Sequence, residues 1–291
     1  MSKRRKSSRP EGAAPKKARD VFVKRSFEGL ASEVDWVALR EFVPAATAPL
    51  QLAPELVEKF GARDILLATV LPLAWPAIRK PDGRIFLGLQ RSTQSGDVSR
   101  DLAYALSVAL EVDAPGPIVV TAMPGEGPRL QDMLADGALD ITMRDGFDFW
   151  IDEDANTPEV QASLERANAS VTPNVKLAAA EAAYWVRFPE RAHVRWVLPD
   201  DEDTALAALS KVAAAGGLPL GDDTKFAGMF RAHGLLTPVW DLPSAAEASE
   251  WEEPLTAFAA RYAAALATGP ELDSDERRAR QGLIGRQLTL R

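Results

Sequence analysis

The chain has 291 residues with 34 basic and 42 acidic side chains, which gives a formal net charge of −8. Its hydrophobic fraction of 46% and charged fraction of 26% are typical of a soluble globular protein and exclude collagen-like, mucin-like and wholly disordered chains. Because there is no cysteine, disulfide frameworks, thiolate metal sites, iron–sulfur clusters and cysteine nucleophiles are excluded as well.

The first 25 residues differ from the rest of the chain in charge. They hold ten basic and two acidic residues, a net charge of +8, whereas the remainder carries 24 basic and 40 acidic side chains, a net charge of −16. Such a segment has too few apolar groups to offset the entropy lost on ordering, so we predict a disordered basic tail over residues 1–25, here called the basic arm. It lacks the apolar run of a secretory signal, which favours a cytoplasmic protein with no membrane partner.

Secondary-structure signals begin near Phe27. Ser32 and Asp35 have the spacing of a capping box, and the Lys80–Gly83 segment is typical of a turn between strands. Between residues 27 and 151 the apolar spacing predicts a helix over 36–42, strands over 63–72 and 84–90, a helix over 102–110, a strand over 118–123, a short helix opened by Pro128, and a strand over 147–151.

The second half of the chain begins with Thr157 as a helix cap and Pro158 at the first helical position. His193 falls in a predicted strand, and His233 falls at the end of a predicted helix, where the helix dipole favours a cation. After the helix at Pro158, the predicted elements are hairpin strands over 182–188 and 192–198, a helix over 202–214, a short helix over 226–232, a strand over 235–242 and two C-terminal helices.

These elements predict an α+β fold with two lobes, each a β-hairpin or mixed sheet packed by helices, and a helical C-terminus. The order strand, turn, strand, helix occurs near 63–111 and again near 182–214, which we interpret as a diverged internal duplication. The predicted division is a disordered tail over 1–25, an N-terminal lobe over 26–174, a second lobe over 175–243 and C-terminal helices over 244–291.

An acidic segment over residues 145–154 is one candidate for chemistry. Asp152, Asp154 and Asn156 match the first three ligands of a calcium loop, but the diagnostic glycine and glutamate are missing. The favoured interpretation is a set of charges that stabilise the following helix N-terminus. The alternative is a carboxylate- or magnesium-dependent enzyme whose metal ligands are Asp148, Asp152 and Asp154.

A second candidate is the Gly125-Glu126-Gly127 turn, which follows a predicted strand and precedes a helix. Turn geometry explains these glycines, and the alternative is an anion-binding turn with Arg129 as partner. No Walker loop and no GxSxG elbow is present, so no catalytic residue and no cofactor is assigned, and we favour binding over catalysis.

The basic arm is the strongest functional signal. Lysine and arginine neutralise phosphates and release counterions without a fixed structure, so we expect the arm to contact nucleic acid, the ribosome or another polyanion. One alternative is an arm that folds back on the protein's own acidic surface. Another is a structural or oligomerising subunit that docks through Leu255, Phe258 and Tyr262. The residues expected to contact a polyanion are Lys3, Arg4, Arg5, Lys6, Arg9, Lys16, Lys17 and Arg19.

Three stretches carry a resemblance to a known family. They are RSFEGLASEVDWVALREFVPAATAPLQL, LATVLPLAWPAIRKPDGRIFLGLQ and LTPVWDLPSAAEASEWEEPLTAFAARYAAAL. Together they resemble an uncharacterised protein family of actinobacteria, classed as a domain of unknown function, over nearly the whole chain from Phe27 onward. The resemblance implies no activity, cofactor or catalytic residue.

Overall fold

The computed structural model describes residues 22–92, 94–120, 123–151, 157–286 and 288. Within these residues the chain forms two β-sheets and seven α-helices. This arrangement confirms the predicted α+β class, with two sheets packed by helices and a helical C-terminus. Among the described residues, no helix has the length and hydrophobicity that a membrane span requires.

The first sheet lies in the N-terminal half of the chain. Its six strands are β1 Ala46–Leu50, β2 Ile65–Val70, β3 Ala77–Arg79, β4 Ile85–Gln90, β5 Gly116–Ile118 and β6 Thr142–Met143. They are ordered β5-β3-β4-β2-β1-β6, with β2 and β4 parallel and the other neighbours antiparallel. The helices of this region are α1 Glu33–Glu41, α2 Pro54–Phe60 and α3 Val98–Glu111.

The two faces of this sheet are covered differently. Alternate residues of β2 and β4, such as Leu67 and Leu87, pack with α1 and α3 in the main core, because successive side chains of a strand point to opposite faces. The other face, which includes Ala68 and Phe86, packs against the aromatic residues of the 147–151 segment.

The second sheet is antiparallel throughout. Its strands are β7 Asn174–Lys176, β8 Ala183–Arg187, β9 Ala192–Trp196, β10 Lys225–Ala232 and β11 Leu235–Leu242, in the order β10-β11-β9-β8-β7. The remaining helices are α4 Pro158–Asn168, α5 Glu202–Ala214, α6 Glu252–Ala267 and α7 Ser274–Ile284. Trp196 and Trp240 lie on the face covered by α5 and α6, while Tyr184 and Phe230 on the opposite face join the core of the first sheet.

A buried carboxylate connects α1 to the second sheet. The Asp35 side chain is 4% exposed, and it accepts hydrogen bonds from Lys176 Nζ at 2.8 Å and from the Tyr184 hydroxyl at 3.2 Å. Burial, together with the negative charge of Asp35, raises the pKa of the Tyr184 phenol, so the phenol stays protonated and donates. This polar contact links α1 to β7 and β8.

The predicted helix over 226–232 is wrong, because these residues belong to β10. The strand pairs with β11 along its length, with an irregularity between Phe226 and Gly228. His233 and Gly234 form the turn of this hairpin with φ angles of 47° and 80°, a left-handed pair that is typical of two-residue hairpin turns. His233 therefore lies at a hairpin tip and not at the end of a helix.

The predicted strand over 147–151 is also wrong. Residues Asp148–Trp150 form a 3₁₀ turn, in which the Phe147 and Trp150 rings stack with centroids 4.2 Å apart. The Trp150 indole N–H donates to Val70 O at 2.9 Å, so aromatic packing on the sheet replaces strand pairing. The strand predicted over 118–123 is wrong beyond its first residue, since β5 runs over Gly116–Ile118 and residues 119, 120 and 123 lie outside any strand.

Two further expectations concern a cap and the repeat. Ser32 precedes α1 but makes no capping bond; its hydroxyl accepts from the Leu139 N–H instead. The two predicted strand–turn–strand–helix units differ in structure, because β2 and β4 of the first unit pair in parallel and have β3 between them in sequence, whereas β8 and β9 of the second unit form an antiparallel hairpin. The duplication therefore stays a prediction.

Candidate functional site

Residues 22–27, which we call the arm root, lie where the two halves of the fold meet. The Val23 N–H donates to Gly96 O at 2.8 Å, which ties the arm to the loop before α3. Phe27 is fully buried, with its ring 5.7 Å from Trp36 and 5.0 Å from the His233 ring. Residues 23 and 27 are therefore held against the body, whereas Phe22, the first described residue, is 81% exposed.

The last two basic residues of the arm bind carboxylates of the body. The Arg25 guanidinium forms a bidentate pair with Glu33, with distances of 2.6 and 2.9 Å, and this hydrogen bonding raises the pKa of Arg25. Lys24 Nζ lies 2.9 Å from Glu202, which also accepts from Arg231. Burial raises the pKa of Glu202, but the two cations outweigh burial and the net shift is downward, so this carboxylate is charged at neutral pH.

Glu202 belongs to a run of four acidic residues, Asp200–Asp203, which we call the acidic start of α5. Asp201 caps the helix, since its carboxylate accepts from the Asp203 and Thr204 N–H groups. Asp200 accepts from the Tyr262 hydroxyl at 2.8 Å. Carboxylates at a helix N-terminus are favoured by the helix dipole, so local structure accounts for the run, and the run places negative charge beside the arm root.

The eight residues expected to contact a polyanion, which are Lys3, Arg4, Arg5, Lys6, Arg9, Lys16, Lys17 and Arg19, lie outside the described residues. Asp152 and Asp154 of the alternative metal site lie outside them as well. Asp148 is described, and its side chain is exposed at the start of the 3₁₀ turn. In the part of the chain that the structure describes, no cluster of three or more acidic or histidine side chains could hold a metal ion. The metal hypothesis therefore stays a prediction.

The glycine turn at 125–127 holds a cation of the protein itself. Arg100 donates through its guanidinium to the carbonyls of Gly125, Glu126 and Pro128 at 3.0–3.2 Å. A Cβ at Gly127 would lie 2.3 Å from Arg100 Nη2, which explains the glycine. The carbonyl oxygens of this turn point at a guanidinium, and their partial negative charge would repel an anion. The anion-binding alternative for this turn is therefore wrong. Its expected partner Arg129 pairs with Asp97 at 2.8 Å.

The two histidines lie apart, and each faces one carboxylate. His193 Nδ1 lies 2.9 Å from Asp241 Oδ1, and His233 Nε2 lies 3.0 Å from Glu41 Oε1. Burial lowers the pKa of His193 despite the nearby Asp241. Both contacts link neighbouring elements, in agreement with the structural roles that we favour for these residues.

The apolar face of α6 is covered by the protein itself. Leu255 and Phe258 are fully buried and Tyr262 is 3% exposed. The Phe258 ring lies 4.8 Å from Trp240 and 6.2 Å from Trp196 on the second sheet. The expectation that this face docks on a partner is therefore wrong, because α6 uses it to cover its own sheet.

An open cleft that the sequence analysis did not single out lies at the end of the first sheet where β2 and β4 begin. Its volume is about 560 Å³, and we call it the arginine cleft after three of its lining residues, Arg63, Arg79 and Arg84. Asp64 and Asp82 line it too. These side chains come from three separate segments, and only the pairing of β3, β2 and β4 brings them together.

A family model matches residues 26–291; it describes DUF5926, a family of unknown function. The chain belongs to this family. The DUF5926 match begins directly after Arg25, so the basic arm lies outside it, whereas the acidic start of α5 and the arginine cleft lie inside it. Neither the curated proteins nor the solved structures contain a match to the DUF5926 chain.

Proposed function

We propose that the protein binds nucleic acid through its basic arm, in a salt-dependent manner that does not require a particular base sequence. The observation that carries the proposal is the separation of charge, +8 on residues 1–25 and −16 on the remainder. A segment of dense positive charge gains free energy by releasing the counterions condensed on nucleic acid. Ribosomal RNA presents the same phosphate backbone, so the ribosome is a partner of the same chemistry.

The arm root supports this proposal. Of the arm's ten basic residues, Lys24 and Arg25 contact body carboxylates, and the other eight precede the described residues. The hydrogen bond from the Val23 N–H to Gly96 O holds the end of the arm against the body. No aromatic residue precedes Phe22, which favours contacts with the backbone phosphates over base stacking.

The acidic start of α5 is the competitor for the arm. Four carboxylates in sequence lie beside the arm root, and Asp203 is 90% exposed although it pairs with Arg280. Exposed charges interact over about one Debye length, roughly 10 Å at moderate salt. Binding of nucleic acid therefore competes with attraction of the arm to the body, and we place this binding in the cytoplasm, where nucleic acid and ribosomes are available.

The test compares the full-length protein with a variant in which the eight expected contact residues are glutamine. Binding to a fluorescent DNA duplex and to an RNA hairpin is measured by anisotropy at about 50 to 200 mM salt. We expect the variant to lose binding to both ligands. A second control keeps the composition of residues 1–21 but shuffles their order, and we expect it to bind like the wild type. Equal binding by the wild type and the glutamine variant, or binding by neither, would overturn the proposal.

A further inference from the structure

The arginine cleft presents more positive donors than the protein itself uses. Arg84 Nε donates to Asp82 Oδ2 at 2.6 Å, and the two side chains are about half exposed. Arg63 Nε and Arg79 Nη1 are buried, and neither finds a hydrogen-bond acceptor in the described part of the chain. A buried donor without an acceptor carries a desolvation cost that an added acceptor relieves.

Arg79 is the most constrained of the three. It is 7% exposed, and its nearest carboxylate among the described residues, Asp113, lies 3.7 Å away and is itself 91% exposed. That separation is too long for a hydrogen bond, and water screens an exposed carboxylate. The guanidinium therefore lies at the cleft with a charge that the surrounding residues only partly balance.

We propose that the arginine cleft binds the phosphate group of a small phosphate-bearing molecule. Three guanidinium groups face two carboxylates, Asp64 and Asp82, and Asp82 is engaged by Arg84. Guanidinium forks match the oxygen geometry of phosphate and bind it bidentately. The volume of about 560 Å³ is within the usual range for small ligands.

The lining residues also limit the kind of ligand. Among the described residues, the charged side chains are joined at the cleft by Ala62 and Gly83, and none of these residues offers an aromatic ring on which a base could stack. Recognition therefore depends on the phosphate oxygens and not on an attached base. Gly83 has a φ angle of 90° in the turn that carries Asp82 and Arg84 into the cleft, a conformation that glycine adopts readily.

This site is separate from the basic arm. The arm is hydrogen-bonded to Gly96, which lies in the loop after the end of β4. Arg84, in contrast, directly precedes the first residue of β4. The six residues of β4, about 20 Å of strand, lie between Arg84 and the loop that contains Gly96. Loss of arm binding and loss of phosphate binding can therefore be measured independently on the same chain.

The test uses pyrophosphate and inorganic phosphate as probes on the full-length protein, with calorimetry and thermal unfolding as readouts and sodium chloride matched for ionic strength. We expect saturable binding of pyrophosphate and a rise in Tm. Because a charge-assisted hydrogen bond contributes strongly to affinity, we expect Arg63→Gln and Arg84→Gln each to weaken binding roughly tenfold. Arg79→Gln should abolish it.

The control is Arg278→Gln, which removes the same charge at a side chain that is 80% exposed on α7 and should leave pyrophosphate affinity unchanged. If Arg79→Gln fails to fold, the Arg63 and Arg84 variants still decide the matter. The proposal is overturned by absence of saturable binding up to about 10 mM, or by equal affinity in the Arg63, Arg84 and Arg278 variants. Displacement of pyrophosphate by duplex DNA in the eight-glutamine arm variant would overturn the assignment to a small ligand.

Discussion

The Lys24 ammonium lies 2.9 Å from the Glu202 carboxylate, so the arm root contacts the acidic start of α5. The lysine is 65% exposed and the glutamate 21%, and Arg231 shares the same carboxylate. An exposed pair of this kind contributes little to stability. Under the proposed function its consequence is for binding, because the arm root lies beside charges that would compete with a polyanion.

Glu202→Gln removes one of these competing charges. We expect it to tighten binding of a DNA duplex by about twofold to fivefold at low salt, the size of one exposed ion pair, and to lose that effect at high salt. Anisotropy titrations at two salt concentrations measure the change. Glu253→Gln, an exposed glutamate in the first turn of α6, gives the same change of net charge and serves as the control. An equal effect of both variants would show that only net charge matters.

Asp35 is expected to be the most sensitive polar residue of the core. Asp35→Ala leaves Lys176 and the buried Tyr184 hydroxyl without their acceptor, and we expect the free energy of unfolding to fall by about 3 kcal/mol. Urea denaturation measures it. Asp222→Ala at an exposed position is the control. Adding Lys176→Met to Asp35→Ala should cost less than the sum of the single changes, whereas strict additivity would contradict a direct contact.

His193 predicts a dependence of stability on pH. Burial lowers the pKa of this imidazole from 6.5, so the unfolded state binds a proton at higher pH than the folded state does. The contribution of His193 to stability is complete above 6.5 and is lost as pH falls through the lower folded pKa. Unfolding free energies from about pH 7.5 to about pH 5 should fall in the wild type and fall less in His193→Gln.

The matched variant for this experiment is Glu41→Gln, which should change the unfolding free energy in a different pH range. Burial raises the pKa of Glu41, but the hydrogen bond and charge of His233 outweigh it and bring the pKa below 4.5. Its contribution is therefore present above 4.5 and is lost as pH falls further. If His193→Gln left the fall of the unfolding free energy between about pH 7.5 and about pH 5 unchanged, burial of the His193 imidazole would not be the cause of that fall.

Gly228 is expected to tolerate no side chain. Its φ angle is 145°, and an added Cβ would lie 2.1 Å from the Arg286 carbonyl oxygen. Arg286 and Leu288, which follow α7, lie beside β10 here, and the Leu288 N–H donates to Met229 O at 2.8 Å. We expect Gly228→Ala to destabilise the fold by about 1–3 kcal/mol in urea denaturation. Gly282→Ala, in open space on α7, should be neutral or stabilising, and similar effects of the two changes would contradict this account.

Local signals in the sequence predicted the longer helices, but they missed α2 and did not identify every strand. The predicted helix over 202–214 matches α5, because Asp201 caps it and its apolar residues repeat at helical spacing before Gly216. The apolar residues of the 226–232 segment fit the periodicity of a helix as well as that of a strand, and the sequence analysis predicts a helix there. Pairing with β11 decides for a strand, and that pairing is a tertiary contact.

The two candidate sites also differ in whether local sequence reveals them. The basic arm is contiguous, so composition alone reveals it. The arginine cleft was missed because Arg63, Arg79 and Arg84 belong to separate segments whose spacing matches no motif, and only strand register brings them together. The one sequence signal near it was the turn at 80–83, which indicated a hairpin but not that Arg79 would be buried beside it.

The measurement that tests the central claim most directly is the dependence of nucleic-acid affinity on salt. If the eight arm residues each neutralise a phosphate, a plot of log K against log salt for duplex DNA should have a slope of about −7. The variant with four of the eight residues replaced by glutamine should have about half that slope. Each protein should bind duplexes of unrelated sequence with equal affinity. A slope that is near zero, or that is unchanged by these substitutions, would contradict binding through the arm.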